Sequence, residues 1–229
     1  MVDYLNKVEI GGGSVAEKED VYHLSIPSNA IGYADAQLDD YGHLSSRRDF
    51  PHQPPRHDIQ GRTPVKVVLE AKFSHGEGEL KGTAGFGFWN APIGEVRQRL
   101  PTFPQAVWFF YASEPNRLPF LKGQTGWFAS VWGVPTLRNQ NSFHGYLGIQ
   151  CAHITFSMTA WHSYRIEWFR EGCLLCVDDH EILRSSISPF TRLGFVAWID
   201  NQFMALPKMG HVKSDKGEQG LFLSGLKGL

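Results

Sequence analysis

The sequence predicts an antiparallel β-sandwich of the jelly-roll type, and two patterns point to this fold class. Short segments alternate apolar and polar residues, as VKVVLEAKFS at residues 65–74 does apart from Val68. Turn sequences such as SHGEGELKG and SEPN separate these segments at short intervals. Because no segment carries apolar residues at a sustained helical spacing, we expect an all-β chain.

The same alternation predicts the individual strands in chain order. GTAGFGFWN alternates glycines and Trp89 with alanine and phenylalanine, and PQAVWFFYASEP at 104–115 carries aromatic residues on both faces. SYRIEWF sets Tyr164, Ile166 and Trp168 against charged residues, whereas LGFVAWI is apolar on both faces, which is typical of a central strand. Further strands are predicted at GWFASVW, CLLCVDDHEIL and GLFLSGLKG, with one or two helical turns at IGEVRQRL.

Length and composition predict one domain over residues 1–229, with a flexible N-terminal stretch of about 1–20 that contains GGGS. The formal net charge of −1 gives no reason to expect nucleic acid or an anionic membrane as a partner. The first twenty residues lack the apolar core of a signal peptide, and no apolar run is long enough to span a membrane. With three cysteines and no N-x-[ST] sequon, we expect a cytoplasmic location.

The segment WHSYRIEWFREGCLLCVDDHEIL, at 161–183, resembles the antiparallel strand pair of concanavalin A-like glucanases, especially family 16 glycoside hydrolases. That family has an aromatic-His-x-Tyr start, a strand ending in Glu-Trp, a turn, and a strand ending in Val-Asp-Gly, whose glycine is Asp179 here. Upstream, GTAGFGFWNAP resembles the strand with the family's Phe-Trp dipeptide, here Phe88 and Trp89. The likeness covers roughly residues 63–203 and implies a concanavalin A-like sandwich. The matching residues of the strand pair are Trp161, His162, Tyr164, Glu167, Trp168, Val177 and Asp178.

The chain departs from this family at the catalytic strand. Family 16 enzymes carry Glu-x-Asp-x-Glu there, because a retaining glycosidase needs two carboxyl groups about 5 Å apart. The corresponding strand here is 104–115, which offers only apolar and aromatic residues in either register, with Glu114 at the following turn. The family's catalytic residues therefore do not carry over. An aromatic-lined cleft is expected in place of the acid pair.

Two acidic positions are candidates for general acid or base catalysis. Asp40 lies in YADAQLDDYG between Tyr33 and Tyr41, where aromatic surroundings would raise the pKa of its carboxyl group. The alternative for Asp40 is a solvated strand end, paired with Arg47 or Arg48.

Asp200 is the second acidic candidate, in WIDNQF, and alternation places it and Gln202 on the face of Trp198. The alternatives for Asp200 and Asn201 are capping of a turn or ligation of a structural calcium ion, although no acidic loop with calcium spacing is present.

Aromatic side chains are the expected substrate-binding residues, because they can stack on sugar rings or enclose an apolar molecule. No metal or cofactor is expected: Cys173 and Cys176 have C-x-x-C spacing, but positions i and i+3 of a strand point to opposite faces, so both are interpreted as buried. The expected binding residues are Tyr33, Tyr41, Trp89, Asn90, Trp108, Phe110, Tyr111, Trp127, Trp198, Asn201 and Gln202.

Three functions fit these features. The first is a non-hydrolytic enzyme, of isomerase, cyclase or lyase type, in which Asp40 or Asp200 moves a proton on a small, largely apolar molecule. The second is a glycoside hydrolase or lyase with a displaced acid pair drawn from different strands. The third is a non-catalytic, lectin-like module that binds glycans. The expected partner is accordingly a small molecule or a saccharide, and the sequence ranks the first function highest.

Overall fold

The computed structural model describes residues 5–40, 65–90, 104–118, 121, 123–135, 148–189, 193–205 and 208–226. Within these ranges, the strands are numbered β1 to β17 in chain order and form two large antiparallel sheets and one small hairpin. The predicted antiparallel β-sandwich is confirmed. In the described part of the chain, no helix is long and apolar enough to cross a membrane.

The larger sheet, called sheet A, has the order β1-β4-β14-β6-β7-β8-β13, and β9 also pairs with β8. Its strands are β1 (Asn6–Ile10), β4 (Asp35–Asp39), β6 (Thr83–Trp89), β7 (Ala106–Ala112), β8 (Gly126–Pro135), β9 (Gly148–His153), β13 (Ile187–Ser188) and β14 (Gly194–Asp200).

The second sheet, called sheet B, has the order β12-β11-β10-β5-β17-β3-β2. Its strands are β2 (Ser14–Lys18), β3 (Val21–Ile26), β5 (Val65–Phe73), β10 (His162–Phe169), β11 (Gly172–Val177), β12 (His180–Ser185) and β17 (Gln219–Ser224). The small hairpin pairs β15 (Gln202–Ala205) with β16 (Lys208–His211).

One hydrophobic core lies between the two sheets, built from the inward side chains of both. Strand β5 contributes the alternate residues Val67, Leu69, Ala71 and Phe73, as its sequence pattern predicts. Burial of aromatic and branched side chains on both inner faces is the main source of stability in such a sandwich.

The two cysteines of the C-x-x-C sequence are buried, as expected from their place in a strand. Cys173 belongs to the core between the sheets, and burial raises the pKa of its thiol. Cys176 accepts a hydrogen bond from the Arg165 guanidinium, 3.3 Å away.

The stretch of about 1–20, expected to be flexible, contains two ordered strands. Strand β1 pairs with β4 of sheet A, and β2 pairs with β3 of sheet B. The GGGS sequence forms the turn between β1 and β2: an added Cβ at Gly11 would meet the Tyr33 carbonyl oxygen at 1.9 Å, and at Gly13 the Asp35 carbonyl oxygen at 2.0 Å. These glycines permit close backbone contact rather than motion, a use of glycine that composition does not reveal.

Candidate functional site

Strand β7 explains why four aromatic residues stand in a row in the sequence. Phe109 and Tyr111 point into the core between the sheets, whereas Trp108 and Phe110 point to the other side of sheet A. That side, which faces away from sheet B, is called the outer face here. On the outer face β7 presents only apolar side chains.

Five aromatic side chains form an aromatic cluster on the outer face, with Trp108 at its centre. The ring centroid of Trp108 lies 5.2 Å from Trp198, 5.4 Å from Trp89, 5.0 Å from Trp132 and 5.2 Å from Phe110. These separations are typical of favourable offset and edge-to-face ring contacts. Trp108 is only 3% exposed, so the cluster forms a second packed apolar region outside the main core.

Two glycines of β6 provide the space for these rings. A Cβ added at Gly85 would lie 2.8 Å from the Trp198 ring, and one added at Gly87 would lie 2.5 Å from the Trp108 Cα. A side chain at Gly85 would therefore displace the Trp198 indole, and one at Gly87 would displace the backbone of β7, because packed interiors leave no free volume at such distances.

The indole N–H groups of the cluster differ in their hydrogen bonds. The Trp198 Nε1 donates to the Thr83 hydroxyl at 3.1 Å, and the Trp132 Nε1 donates to the Ser130 hydroxyl at 2.7 Å. Among the described residues, the buried Trp108 Nε1 has no acceptor. A buried donor of this kind is costly to leave unsatisfied, and this nitrogen atom is closed off from solvent within the packed cluster.

Two carboxyl groups meet at one end of the outer face. Asp35 of β4 is the direct register partner of Asp200 of β14, and directly opposite residues of an antiparallel pair project to the same side. The side chains of Ala36 and Ile199, which follow and precede them, enter the core. Both carboxyl groups therefore lie on the outer face, where Asp35 is 4% and Asp200 is 6% exposed.

The two carboxyl groups differ in the hydrogen bonds that they accept. The Asp200 Oδ1 accepts hydrogen bonds from the Thr83 backbone N–H, the Thr83 hydroxyl and the Gln202 backbone N–H, at 3.2, 2.9 and 3.0 Å. Asp35 accepts no side-chain hydrogen bond from the residues that the structure describes. Burial is the main cause that raises the pKa of Asp200 to about 7, and the three donors oppose this effect.

Burial and the nearby charge of Asp200 raise the pKa of Asp35 to about 8. Near neutral pH, a pair of this kind holds one proton between two carboxyl groups. Because only Asp200 is stabilised as an anion by three donors, the proton resides on Asp35.

Two further residues border the pair. The Tyr33 phenol keeps its proton, since burial and then the charges of Asp200 and Asp35 raise its pKa. Asp39 projects to the same face as Asp35, but the amide groups of Asn6 and Gln37 donate to its two oxygens at 2.9 and 2.8 Å. Neighbouring amide groups therefore occupy both oxygens of Asp39. Asp35 and Asp200, by contrast, face each other as a pair of carboxyl groups.

The structure does not bring Asp40 and Asp200 together. The Asp40 Oδ1 accepts a hydrogen bond from the Phe195 backbone N–H at 2.7 Å, and the Asp40 N–H donates to the Phe195 carbonyl at 3.1 Å. Phe195 and Asp200 lie five residues apart on β14, which is roughly 17 Å along an extended strand. Asp40 therefore clamps the end of β4 to β14, and Asp35 replaces it as the carboxyl partner of Asp200.

Two aromatic residues expected in the cleft lie in the core instead. Tyr111 and Trp127 are fully buried between the sheets, because each occupies the inward position of its strand. The Tyr111 hydroxyl is satisfied there by the Leu80 carbonyl, to which it donates at 2.9 Å. Because Tyr111 and Trp127 point between the sheets, they are not part of an aromatic cleft on the outer face, contrary to the sequence-based expectation. The other expected aromatic residues, Trp89, Trp108, Phe110 and Trp198, do lie on the outer face.

The polar residues expected to bind substrate serve mainly to hold the backbone. Asn201 accepts from the Ala34 N–H and donates to the Gly32 carbonyl, both at 2.9 Å, and so fixes the segment that leads into Asp35. Asn90 similarly accepts from the Gln105 N–H at 2.7 Å. Gln202 is half-buried at the start of β15 and donates its N–H to Asp200. Tyr41 and the IGEVRQRL segment lie outside the described residues.

Sequence reasoning missed Asp35, Thr83 and Trp132. Asp35 lies in the same YADAQLDDYG segment as Asp40, which was the residue selected there. The alternation of residues in ADAQLDD indicates the position of Asp35. Ala36 and Leu38 are the core residues of this strand, so Asp35 and Asp39 share the opposite face. Within the described residues, no group of three His, Cys, Asp or Glu side chains is arranged to hold a metal ion.

The fold is similar to that of carbohydrate-active enzymes. A GlcNAcα1-4Gal-releasing endo-β-galactosidase from Clostridium perfringens matches with a TM-score of 0.54 and 10% identity, over 96% of this chain and 58% of its own. The Crh5 transglycosylase, in complex with NAG, matches with 0.52 and 9%, over 97% and 76%. A glycoside hydrolase family protein from Mycobacterium thermorestibile matches with 0.50 and 12%, over 90% and 76%.

The chain therefore shares an antiparallel β-sandwich fold with these two glycoside hydrolases and the transglycosylase, in line with the fold that the sequence resemblance implied. At such low identities the likenesses show the fold alone, and this chain spans 58% of the length of the endo-β-galactosidase chain. No protein-family model and no curated protein matches the sequence.

Proposed function

We propose that the protein is a carbohydrate-active enzyme, a glycoside hydrolase or lyase, whose acid pair is Asp35 and Asp200. One observation carries this proposal: two buried carboxyl groups face each other across neighbouring strands at the end of an aromatic surface. The pair stands on β4 and β14 rather than on the strand that carries it in family 16 enzymes. It is the displaced acid pair that the sequence left open as an alternative.

The environments of the two carboxyl groups assign their roles. Asp35 holds the proton near neutral pH and acts as the general acid on the glycosidic oxygen as the C–O bond breaks. Asp200 is held as an anion by three donors and acts as the nucleophile or base. Directly opposed residues have Cβ atoms about 5 Å apart, which suits the close pair of a retaining mechanism.

The outer face supports a saccharide as the substrate. Aromatic side chains bind the apolar faces of sugar rings, and Trp89 is half-buried rather than fully buried at this face. In a lyase, the same pair would act differently: Asp200 would remove a carbon-bound proton while Asp35 protonates the leaving oxygen. In the hydrolase, water completes the reaction: it attacks the sugar carbon as the bond to Asp200 breaks, and it gives its proton to Asp35. In the lyase, Asp200 releases its proton to solvent and Asp35 regains one.

One observation favours a second candidate, the non-hydrolytic enzyme that acts on a small apolar molecule. The aromatic cluster is deeply buried, and such a surface would enclose an apolar ring as readily as a sugar. The similar structures are glycan-active enzymes and give no support to an isomerase or cyclase. We therefore rank this candidate second.

A panel assay separates these functions. The wild-type protein is incubated with neutral and acidic oligosaccharides and, in parallel, with apolar terpene, polyketide and indole compounds, and products are followed by mass spectrometry. Saccharide turnover is expected. Asp35→Asn and Asp200→Asn should each lower kcat/KM by about 100-fold or more, because each removes a proton-transfer group. Asp215→Asn, at an exposed position, is the matched control.

Other results of the panel assay would point to other functions. Turnover of apolar compounds alone would establish the second candidate and reject the first. Saccharide binding without turnover, unaffected by Asp35→Asn, would identify a lectin-like module. Full saccharide turnover by both Asn variants would show that this pair is not catalytic.

A further inference from the structure

We propose that Thr83 is a positioning residue for Asp200, and that its hydroxyl group, oriented by the Trp198 indole, directs the chemistry to one oxygen of that carboxyl group. This inference rests on the proposed function and assigns the orientation of the anionic member of the pair. Thr83 begins β6 and is the direct register partner of Asp200 on β14. Both side chains therefore project to the outer face, where the Thr83 hydroxyl lies 2.9 Å from the Asp200 Oδ1.

The direction of this hydrogen bond follows from which groups can donate. The Trp198 Nε1 can only donate, and it donates to the Thr83 hydroxyl at 3.1 Å. A threonine hydroxyl has two lone pairs and a single proton, so one lone pair accepts from the indole and the proton is free for another acceptor. The Asp200 Oδ1 is that acceptor. A hydrogen-bond relay therefore runs from Trp198 through Thr83 to Asp200.

The two oxygen atoms of Asp200 differ in the donors that reach them. The Oδ1 also accepts from the backbone N–H groups of Thr83 and Gln202, at 3.2 and 3.0 Å. Because three donors occupy this oxygen, it has no room for a proton of its own. Among the described residues, no hydrogen bond reaches the Oδ2. The Oδ2 is therefore the oxygen that forms the bond to the sugar carbon, as the glycosidic bond breaks and Asp35 protonates the leaving oxygen.

Packing fixes the members of the relay. Trp198 is buried, and its ring centroid lies 5.2 Å from that of Trp108. An indole packed in this way cannot turn its N–H away from Thr83. The backbone before Thr83 is held as well, because the Gly82 N–H donates to the Ser113 hydroxyl at 2.8 Å and the Gly82 carbonyl accepts from the Ser113 N–H at 3.0 Å. The buried cluster thus gives the hydroxyl a fixed orientation.

The ionisable groups around Asp200 leave the relay as a main support of its charge. Asp35 faces it from β4, and the Tyr33 phenol is near both carboxyl groups. Beyond them, His211 of β16 lies 5.7 Å from the Tyr33 ring, and Asp39 accepts from two amide groups. Strands β6 and β15 carry no charged side chain. In the described part of the chain, the contacts that favour the ionised form of Asp200 are its three hydrogen bonds.

The closing experiment follows the ionisation of Asp200 by ¹³C NMR of the aspartate carboxyl carbons, in protein carrying Asp35→Asn so that the neighbouring group does not titrate. Thr83→Val keeps the shape of the side chain and removes the hydroxyl, so Asp200 should titrate about one pH unit higher. Thr83→Ser retains a hydroxyl and should restore the original titration. With Asp35 present, the acidic limb of kcat/KM for a saccharide of the panel assay should move upward with Thr83→Val and return with Thr83→Ser.

Ser130→Ala is the matched control. It removes the same kind of indole–hydroxyl hydrogen bond from the outer face, since the Trp132 Nε1 donates to Ser130 at 2.7 Å, but the Ser130 hydroxyl lies 3.0 Å from the Cys151 thiol and not beside a carboxyl group. It should leave the titration of Asp200 unchanged. An unchanged titration in Thr83→Val would overturn the relay, whether or not a saccharide is turned over.

Two further results separate the parts of this inference. If Thr83→Val moves the titration and not the acidic limb of kcat/KM, the assignment of the Asp200 Oδ2 as the reacting oxygen is wrong. If no protein turns over a saccharide, the proposed function fails, and the NMR titration still decides the relay. Trp198→Phe, which removes the indole donor and keeps an aromatic ring, should raise the titration by less than Thr83→Val, and no change would remove Trp198 from the relay.

Discussion

At the scale of single residues, the environment of a carboxyl group decides its chemistry more than its position in the sequence. Asp35, Asp39, Asp40 and Asp200 are all buried. Asp40 accepts a backbone hydrogen bond and Asp39 accepts two amide bonds, whereas Asp35 faces Asp200. The pKa values of Asp35 and Asp200 are raised to about 8 and about 7, both from 3.8, chiefly by burial.

These shifts predict a pH dependence of stability. Between about pH 4 and pH 8, the folded protein binds more protons than the unfolded chain, so the free energy of unfolding falls as pH rises through this window. Asp35→Asn removes one of the two groups. The variant should therefore gain in melting temperature relative to wild type between pH 5 and pH 8.5.

Melting curves at several pH values test this, with Asp215→Asn as the exposed control, which should follow the wild type. Parallel curves for wild type and Asp35→Asn over the whole range would contradict the raised pKa of Asp35.

Asp40 supports a separate prediction, in which a substitution changes the stability of the protein and leaves its activity unchanged. Asp40→Ala leaves the buried Phe195 N–H without its acceptor, so the free energy of unfolding should fall by about 1–3 kcal/mol. Asp40→Asn keeps a carbonyl oxygen at this position and should lose less. Urea denaturation measures both, and saccharide affinity should be unchanged. A loss of turnover in a fully folded Asp40→Asn protein would restore Asp40 as a catalytic residue.

At the scale of elements, β6 and β7 determine the outer face together. Strand β7 supplies Trp108 and Phe110, and β6 supplies glycines that leave room for the rings. The alternation of each strand was predicted from the sequence. The requirement for glycine was not, because it depends on Trp198, a residue more than a hundred positions away that reaches β6 only through the register of β14.

Gly85→Ala tests this arrangement. The added Cβ would lie 2.3 Å from the Phe109 carbonyl oxygen and 2.8 Å from the Trp198 ring, so we expect a loss of about 2 kcal/mol in unfolding free energy. Tryptophan fluorescence should change as the indoles move. Gly76→Ala is the control, since its Cβ meets only a glutamate oxygen at 3.8 Å. Equal stability of the two variants would mean that the cluster is less tightly packed than described.

At the scale of the whole molecule, the N-terminal segment belongs to both sheets. Strand β1 covers the edge of β4, which carries Asp35, and β2 covers the edge of β3 in sheet B. The turn between them contacts the backbone at Tyr33 and Asp35. This segment therefore lies against the strand that carries Asp35.

Deletion of residues 1–13 removes β1 and exposes the hydrogen-bonding edge of β4. The melting temperature should fall by several degrees, and turnover should fall with it. The point variant Asn6→Ala, which removes only a donor to Asp39, should have a much smaller effect on melting. If the deletion protein melts with the wild type, the pairing of β1 with β4 contributes nothing to stability, which would agree with the predicted flexible stretch of about 1–20.

Alternation with period two is a local property that each segment carries alone, so the fold class, the position of most strands and the aromatic character of one face could be predicted from the sequence. The same alternation put Asp200 on the face of Trp198. The carboxyl partner of Asp200, the aromatic residues that leave the core and the need for glycine at 11, 13, 85 and 87 are visible in the folded protein alone. These depend on strand register between segments distant in the chain, and a shift of one residue in register or phase exchanges the two faces of a strand.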